Sequence, residues 1–289
     1  MKKHYLLLLC IVGFISSDIQ CQTYDTTQYY GKMNYVFANV NKTLVTTGLL
    51  RDYGIDFLNL DNYTGAIVND SNFTALDEWR MLYASLYSQQ INGNAGMLYL
   101  DTLNRLLNQY GSSANPVCFT GLYYNYQSLD PNTVNNNWMY VSNDQLYDVS
   151  GRSQSPYINN EMFAIAPIRQ AGQIGANQLI FRSNLFFGNT GKVISYIQID
   201  PKGTGVYQTV SLNAAFTVNY DTAGFYNVNI QVVYTDNTVK YAHTKLAVYG
   251  NDQSLALNNR HAETFAGTGP PYRHEAFIYG RRGPYIPRL

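Results

Sequence analysis

The residues best suited to acid–base and nucleophilic chemistry are few and poorly placed in this sequence. Of four histidines, His4 lies near the start, His261 and His274 lie near the end, and His243 falls on a predicted strand. The span from Gln22 to Ala242 therefore offers no imidazole as a general base or metal ligand. A Gly-x-Ser-x-Gly elbow, a His-Glu-x-x-His pair and a phosphate-cradling Gly-Lys-Ser/Thr loop are all missing from the sequence. Carboxylates could cleave glycosides without histidine, and Asp56, Asp61, Asp77 and Glu78 lie close in sequence. Asp77 and Glu78, however, open a predicted helix, where negative charge favours the N-terminus and accounts for both.

Two constellations suit binding rather than catalysis. Asp200, Asp221 and Asp236 fall at predicted strand ends and are the candidate ligands for Ca²⁺, a cation that takes six to eight oxygens. Turn formation competes for each of them, because Asp is a residue that tight turns use. Tyr123, Tyr124 and Tyr126, with Trp138 and Tyr140, form the candidate binding surface, since these rings offer flat apolar faces with a polar tip. On alternating strands half of such rings must face a core. No cofactor other than Ca²⁺ is suggested, and no catalytic residue is assigned.

The elements that must carry these residues change character along the chain. Leu76, Trp79, Leu82, Tyr83, Leu86 and Tyr87 recur at three- and four-residue steps, predicting a helix to about Ile91 with Thr74 and Asp77 as a capping pair. Met97, Leu100, Leu103, Leu107 and Tyr110 predict a second helix ended by Gly111, and the turn around 93–96 makes the two an antiparallel hairpin. Leu44–Tyr53 reads as a shorter helix before Gly54. From Pro116 the period becomes alternating, with strands expected at Val117–Gln127, Trp138–Ser142, Met162–Ile168 and Leu179–Arg182. Gly191–Asp200, Asn227–Tyr234 and Thr238–Tyr249 follow, the last two joined by a turn at Asp236 and Asn237. In the strand from Asn227, Val228, Ile230 and Val232 point one way and Asn227, Asn229 and Gln231 the other.

Composition excludes whole classes of function. With 46% hydrophobic, 13% charged and 15% aromatic residues, the chain is too apolar to be disordered. Its zero formal net charge offers no field for nucleic acid. Lys2, Lys3 and His4 precede an apolar run, Tyr5–Ile15, in the order of a secretory signal peptide, with cleavage expected after Cys21. That run is too short to span a bilayer, so no integral membrane segment is expected. Loss of residues 1–21 leaves Cys118 as the only one of three cysteines, which removes any intramolecular disulfide.

Tyr220, Asp221, Gly224, Tyr226, Thr235 and Asp236, with Ser195, Tyr196 and Asp200 before them, resemble the signature of the PKD family of extracellular immunoglobulin-like modules. The sequence departs from that pattern at the family's aromatic position and Gly-Asp-Gly turn, where it has Gln198 and then Pro201, Lys202 and Gly203. The order of parts also resembles the N-terminal region of large exported bacterial proteins of the type IX secretion kind. Thr47–Gly54, the helical hairpin and Gly121–Tyr126 carry that likeness, and some such proteins continue into an α/β-hydrolase-like region.

These readings combine into an α+β, multidomain expectation. Residues 1–21 form a signal peptide, 22–113 a helical N-terminal domain, 114–177 a β-rich segment, and 178–250 a PKD-like, immunoglobulin-like β-sandwich. Residues 251–289 form a linker and an atypical tail, in which 268–289 holds four of the nine prolines and no asparagine. A frameshifted end and a basic, Pro-rich tail are both open readings of it. The expected function is a non-catalytic accessory region of a secreted or cell-surface bacterial protein, in the periplasm or outside the cell. It would bind a glycan or a surface protein, or act as a spacer. The alternative is the truncated N-terminal part of a secreted hydrolase whose catalytic domain is missing.

Overall fold

A computed structural model of the chain describes residues 27–112, 116–169 and 171–250. The expected signal peptide and the tail lie outside the described residues.

Eleven strands and three α-helices make up the regular structure of the described residues. A four-stranded sheet runs in the order β4 (Tyr157–Pro167), β1 (Val117–Leu129), β6 (Gly175–Gly188), β9 (Phe216–Tyr220). A five-stranded sheet runs β5 (Ala171–Gln173), β11 (Val239–Tyr249), β10 (Gly224–Tyr234), β7 (Ile194–Asp200), β8 (Gln208–Val210). A separate hairpin pairs β2 (Met139–Ser142) with β3 (Gln145–Asp148). The two large sheets face each other. Phe119, Phe163, Ile165, Leu179 and Phe181 from the first meet Ile197, Ile199, Val228, Ile230, Val232 and Leu246 from the second in one core.

The other face of the four-stranded sheet is also sealed. Helices α2 (Leu76–Ser88) and α3 (Leu100–Gly111) lay Trp79, Leu82, Tyr83, Leu86, Leu103 and Leu107 against Leu122, Tyr124, Tyr126, Met162, Ala164 and Ile180. The predicted helical N-terminal domain is therefore corrected: β-structure dominates, and these helices form a layer on the sheet. The physical reason is that each helix has a single apolar stripe, and two such stripes bury more surface on a sheet than on each other. Strand β1 has both faces covered, as its almost unbroken buried pattern records.

Local details sharpen the same point. The expected helix over Leu44–Tyr53 is instead two 3₁₀ turns, Lys42–Leu44 and Arg51–Tyr53. Gly48 sits between them at φ +76°, in the left-handed region. A Cβ there would meet the Ala95 backbone nitrogen at 2.5 Å, so the close approach also requires glycine. The backbone of Leu49 and Leu50 is occupied by strand-like bonds, from Gln127 N–H to Leu49 O and from Leu50 N–H to Gln89 O, both 2.9 Å. The N-terminal cap of α2 also differs from expectation. Glu78, not Asp77, accepts the hydrogen bond, from Ala75 N–H at 3.0 Å. The β10–β11 hairpin turns at the expected place, with Asn237 at φ 65°. A third cluster joins α1 (Tyr29–Val36) to the β2–β3 hairpin through Met33, Phe37, Met139 and Leu146.

Candidate binding surface

The sequence-proposed aromatic residues are not brought together. Tyr124 and Tyr126 point to the helix side of β1 and are buried. The Tyr126 hydroxyl donates to Asp61 Oδ1 at 3.3 Å. Tyr123 points the opposite way, into the space between the sheets, where its ring lies 5.7 Å from Phe163 and 5.3 Å from Tyr234. Its hydroxyl donates to Glu161 Oε2 at 3.0 Å, and Lys240 Nζ lies 5.3 Å above its ring. Burial raises all three hydroxyls well above the usual phenol range, and Glu161 raises Tyr123 further. Trp138 and Tyr140 belong to the separate hairpin, where Tyr140 is half exposed and stacks on Tyr147 at 4.9 Å.

The three aspartates do not converge either. Asp200 is buried and accepts backbone N–H groups of Lys202 at 3.3 Å, Thr204 at 3.1 Å and Gly205 at 2.8 Å, with Asn229 Nδ2 at 3.4 Å. Burial pushes this carboxyl up, but the hydrogen bonds outweigh it and hold it below its ordinary value. Asp221 pairs with Lys202 at 3.5 Å. Asp236 pairs with Lys192, whose hydrogen bond brings its pKa down to about 2. Asp200 stands opposite Asn229 of β10, so Asp236 lies seven residues further along, about 20 Å away at the rise of a strand. No group of three or more His, Cys, Asp or Glu among the described residues is placed to hold a metal ion.

The carboxylates near α2 are tied up structurally. Arg51 Nε bonds Asp56 Oδ2 at 2.7 Å and its Nη1 bonds Asp61 at 2.8 Å, while Gln89 Nε2 donates to the other Asp56 oxygen at 2.7 Å. Asp52 accepts Leu129 N–H at 2.7 Å. Burial raises the pKa values of Asp52 and Asp56, partly offset for Asp52 by Leu129 N–H and for Asp56 by Arg51. The Arg51 fork thus ties the loop before α2 to itself, while Asp52 and Asp61 join it to β1 through Leu129 N–H and the Tyr126 hydroxyl. Cys118 is a buried free thiol in the helix-side core.

The outward face of the five-stranded sheet is left uncovered by the described residues, and it was not singled out from the sequence. The outward face of the five-stranded sheet places Thr209, Gln198, Gln231 and Tyr241 in one row across β8, β7, β10 and β11. At about 4.8 Å between strands, the row spans roughly 14 Å. Tyr196 flanks it on β7, and Tyr207 flanks it just before β8; both are exposed. Tyr207 lies near enough to Tyr241 and Asp200 for both to raise its hydroxyl, after burial. The amides of Gln198 and Gln231 and the hydroxyls of these tyrosines take part in none of the hydrogen bonds among the described residues. The sequence signal for this face was the amide side of Asn227, Asn229 and Gln231, whose opposite residues Val228, Ile230 and Val232 are buried as the alternation predicts. Which strands flank that side was not legible. Gln198 stands between Thr209 and Gln231 in the row.

No protein-family model and no curated protein sequence matches the chain. No helix among the described residues is long and apolar enough to cross a membrane.

Proposed function

We propose that this chain is a non-catalytic accessory region of an exported bacterial protein, and that it binds its partner through the outward face of the five-stranded sheet. The observation that carries the reading is the row of Thr209, Gln198, Gln231 and Tyr241, whose side-chain polar groups have no hydrogen-bond partner among the described residues while the face behind them is fully packed. Preformed surfaces of rigid strands lose little entropy on binding, and tyrosine adds contact area at low side-chain cost. The signal-like N-terminus and the PKD-like and type IX-like sequence features support export. The lack of histidine between Gln22 and Ala242 and the Arg51 clamp on Asp56 and Asp61 support a non-catalytic role.

Adsorption of the full secreted chain to purified envelope and extracellular matrix of the producing cells tests this. The reading expects saturable adsorption that weakens with Tyr241→Ala, and N-terminal sequencing that begins at Gln22. Adsorption indifferent to Tyr241→Ala and Gln231→Ala contradicts it.

A further inference from the structure

We infer that the occupant of this face is an uncharged, extended polysaccharide, an assignment that rests on the binding role proposed above. Three observations lead there. First, the row itself contains no charged side chain, and most neighbouring charges are paired. Lys202 is taken by Asp221, Lys192 by Asp236 and Asp200 by its own turn, while Lys245, four residues along β11 from Tyr241, lies 5.1 Å over the Phe73 ring and keeps its charge at the margin of the face. Within the row a charged ligand would lose hydration without gaining a counter-charge.

Second, the sheet edges beside the face are poor templates for a peptide strand. On the β11 side, Tyr241 N–H donates to Gly65 O at 2.9 Å and Thr74 N–H donates to His243 O at 3.1 Å. Beyond them β5 pairs with residues 247–249. At the opposite edge β8 is three residues long. Recognition by strand addition needs a free run of backbone groups, so what binds here must be read by side chains.

Third, the side chains combine two complementary chemistries. Gln198 and Gln231 each present one carbonyl acceptor and two N–H donors, which suit hydroxyls that both give and accept. Tyr196, Tyr207 and Tyr241 supply apolar ring faces with hydroxyl tips. A neutral glycan chain offers both C–H faces and hydroxyls along its length, and a row crossing four strands engages several of its units at once.

The test measures adsorption of the full secreted chain to cellulose, xylan and mannan as neutral polymers, polygalacturonate and chitosan as charged ones, and gelatin as a peptide. Each is measured at low salt and at about 1 M NaCl, where exposed charge interactions are screened. The expected result is retention on a neutral polymer, unchanged by salt, and weakened about tenfold by Gln231→Ala and by Tyr241→Ala, as for central contacts of an interface. Thermal melts of both variants should match the parent, showing that loss of binding is not loss of fold. Salt-sensitive retention on a charged polymer, retention on gelatin alone, or no retention on any neutral polymer overturns the assignment. If that happens while envelope adsorption still falls with Tyr241→Ala, the glycan assignment fails and the binding role stands. If envelope adsorption is indifferent to that substitution, the binding role itself fails.

Discussion

The two large sheets use the same alternating strands, yet among the described residues the four-stranded sheet is covered on both faces and the five-stranded sheet on one. In the first, β1 sends Tyr124 and Tyr126 under the helices and Tyr123 into the sandwich. In the second, β10 sends Val228, Ile230 and Val232 inward and leaves Asn229 and Gln231 outside. Richness in tyrosine therefore does not locate a binding face. What locates it is a strand whose outward residues are polar and, among the described residues, lie under no covering layer.

The largest effects should come from the doubly covered sheet. Trp79 is fully buried, packed 5.8 Å from Tyr83 and 5.9 Å from Phe187. Trp79→Ala should cost about 3–5 kcal/mol in urea unfolding, as large-to-small core changes do. A cost under about 1 kcal/mol would mean that the helices are loosely attached and the contrast between the sheets is overdrawn.

The turn after β7 should give an intermediate effect. Asp200→Ala leaves three backbone N–H groups without their acceptor and should cost about 1–3 kcal/mol. Its pH dependence has a defined sign. The carboxyl is held below its ordinary value of 3.8 in the folded chain, so its contribution is present above that value and is lost as pH falls through the lower folded one. Asp52 and Asp56, raised by burial, act oppositely, and proton uptake as pH falls through their folded values favours the fold. Asp200→Asn should therefore lose less stability than the parent on acidification below about pH 4, measured by thermal melts across pH. An unchanged acid limb would remove Asp200 from the account.

The smallest stability effects should lie on the open face. Gln231→Ala and Tyr241→Ala should shift unfolding by no more than about 0.5 kcal/mol, because neither side chain supports the core.

Individual elements were legible in the sequence, but their layering was not, and the reasons are specific. Helices α2 and α3 announced themselves by their three- and four-residue apolar steps, and β10 by its alternation, because these patterns are local. The partner of the helical stripe was not local. Trp79 and Leu103 meet Tyr124, Met162 and Ile180, residues between about 20 and 100 positions away, so a layer on a sheet read as a domain of its own. The Leu44–Tyr53 segment misled for a related reason, since Gly48 and the bonds to Gln89 and Gln127 override its helical spacing. At the candidate site, Tyr123, Tyr124 and Tyr126 drew attention by type, but their faces were set by neighbours on both sides of β1. The row of Gln198, Gln231 and Tyr241 depends on a register across three strands, which no single segment encodes. The aspartates illustrate the converse in part: Asp200 and Asp236 accept backbone N–H groups of their own turns, the role that their immediate sequence suggested, whereas the ion pairs of Asp221 with Lys202 and of Asp236 with Lys192 join distant segments.

The most direct test of the central claim is one adsorption isotherm, comparing the parent chain with a Gln231→Ala/Tyr241→Ala double variant on envelope material of the producing cells. An affinity reduced by about tenfold or more, in a variant that melts with the parent, is the result expected of an open binding face. Superimposable isotherms would contradict it and leave the outward face of the five-stranded sheet as plain solvent-facing surface.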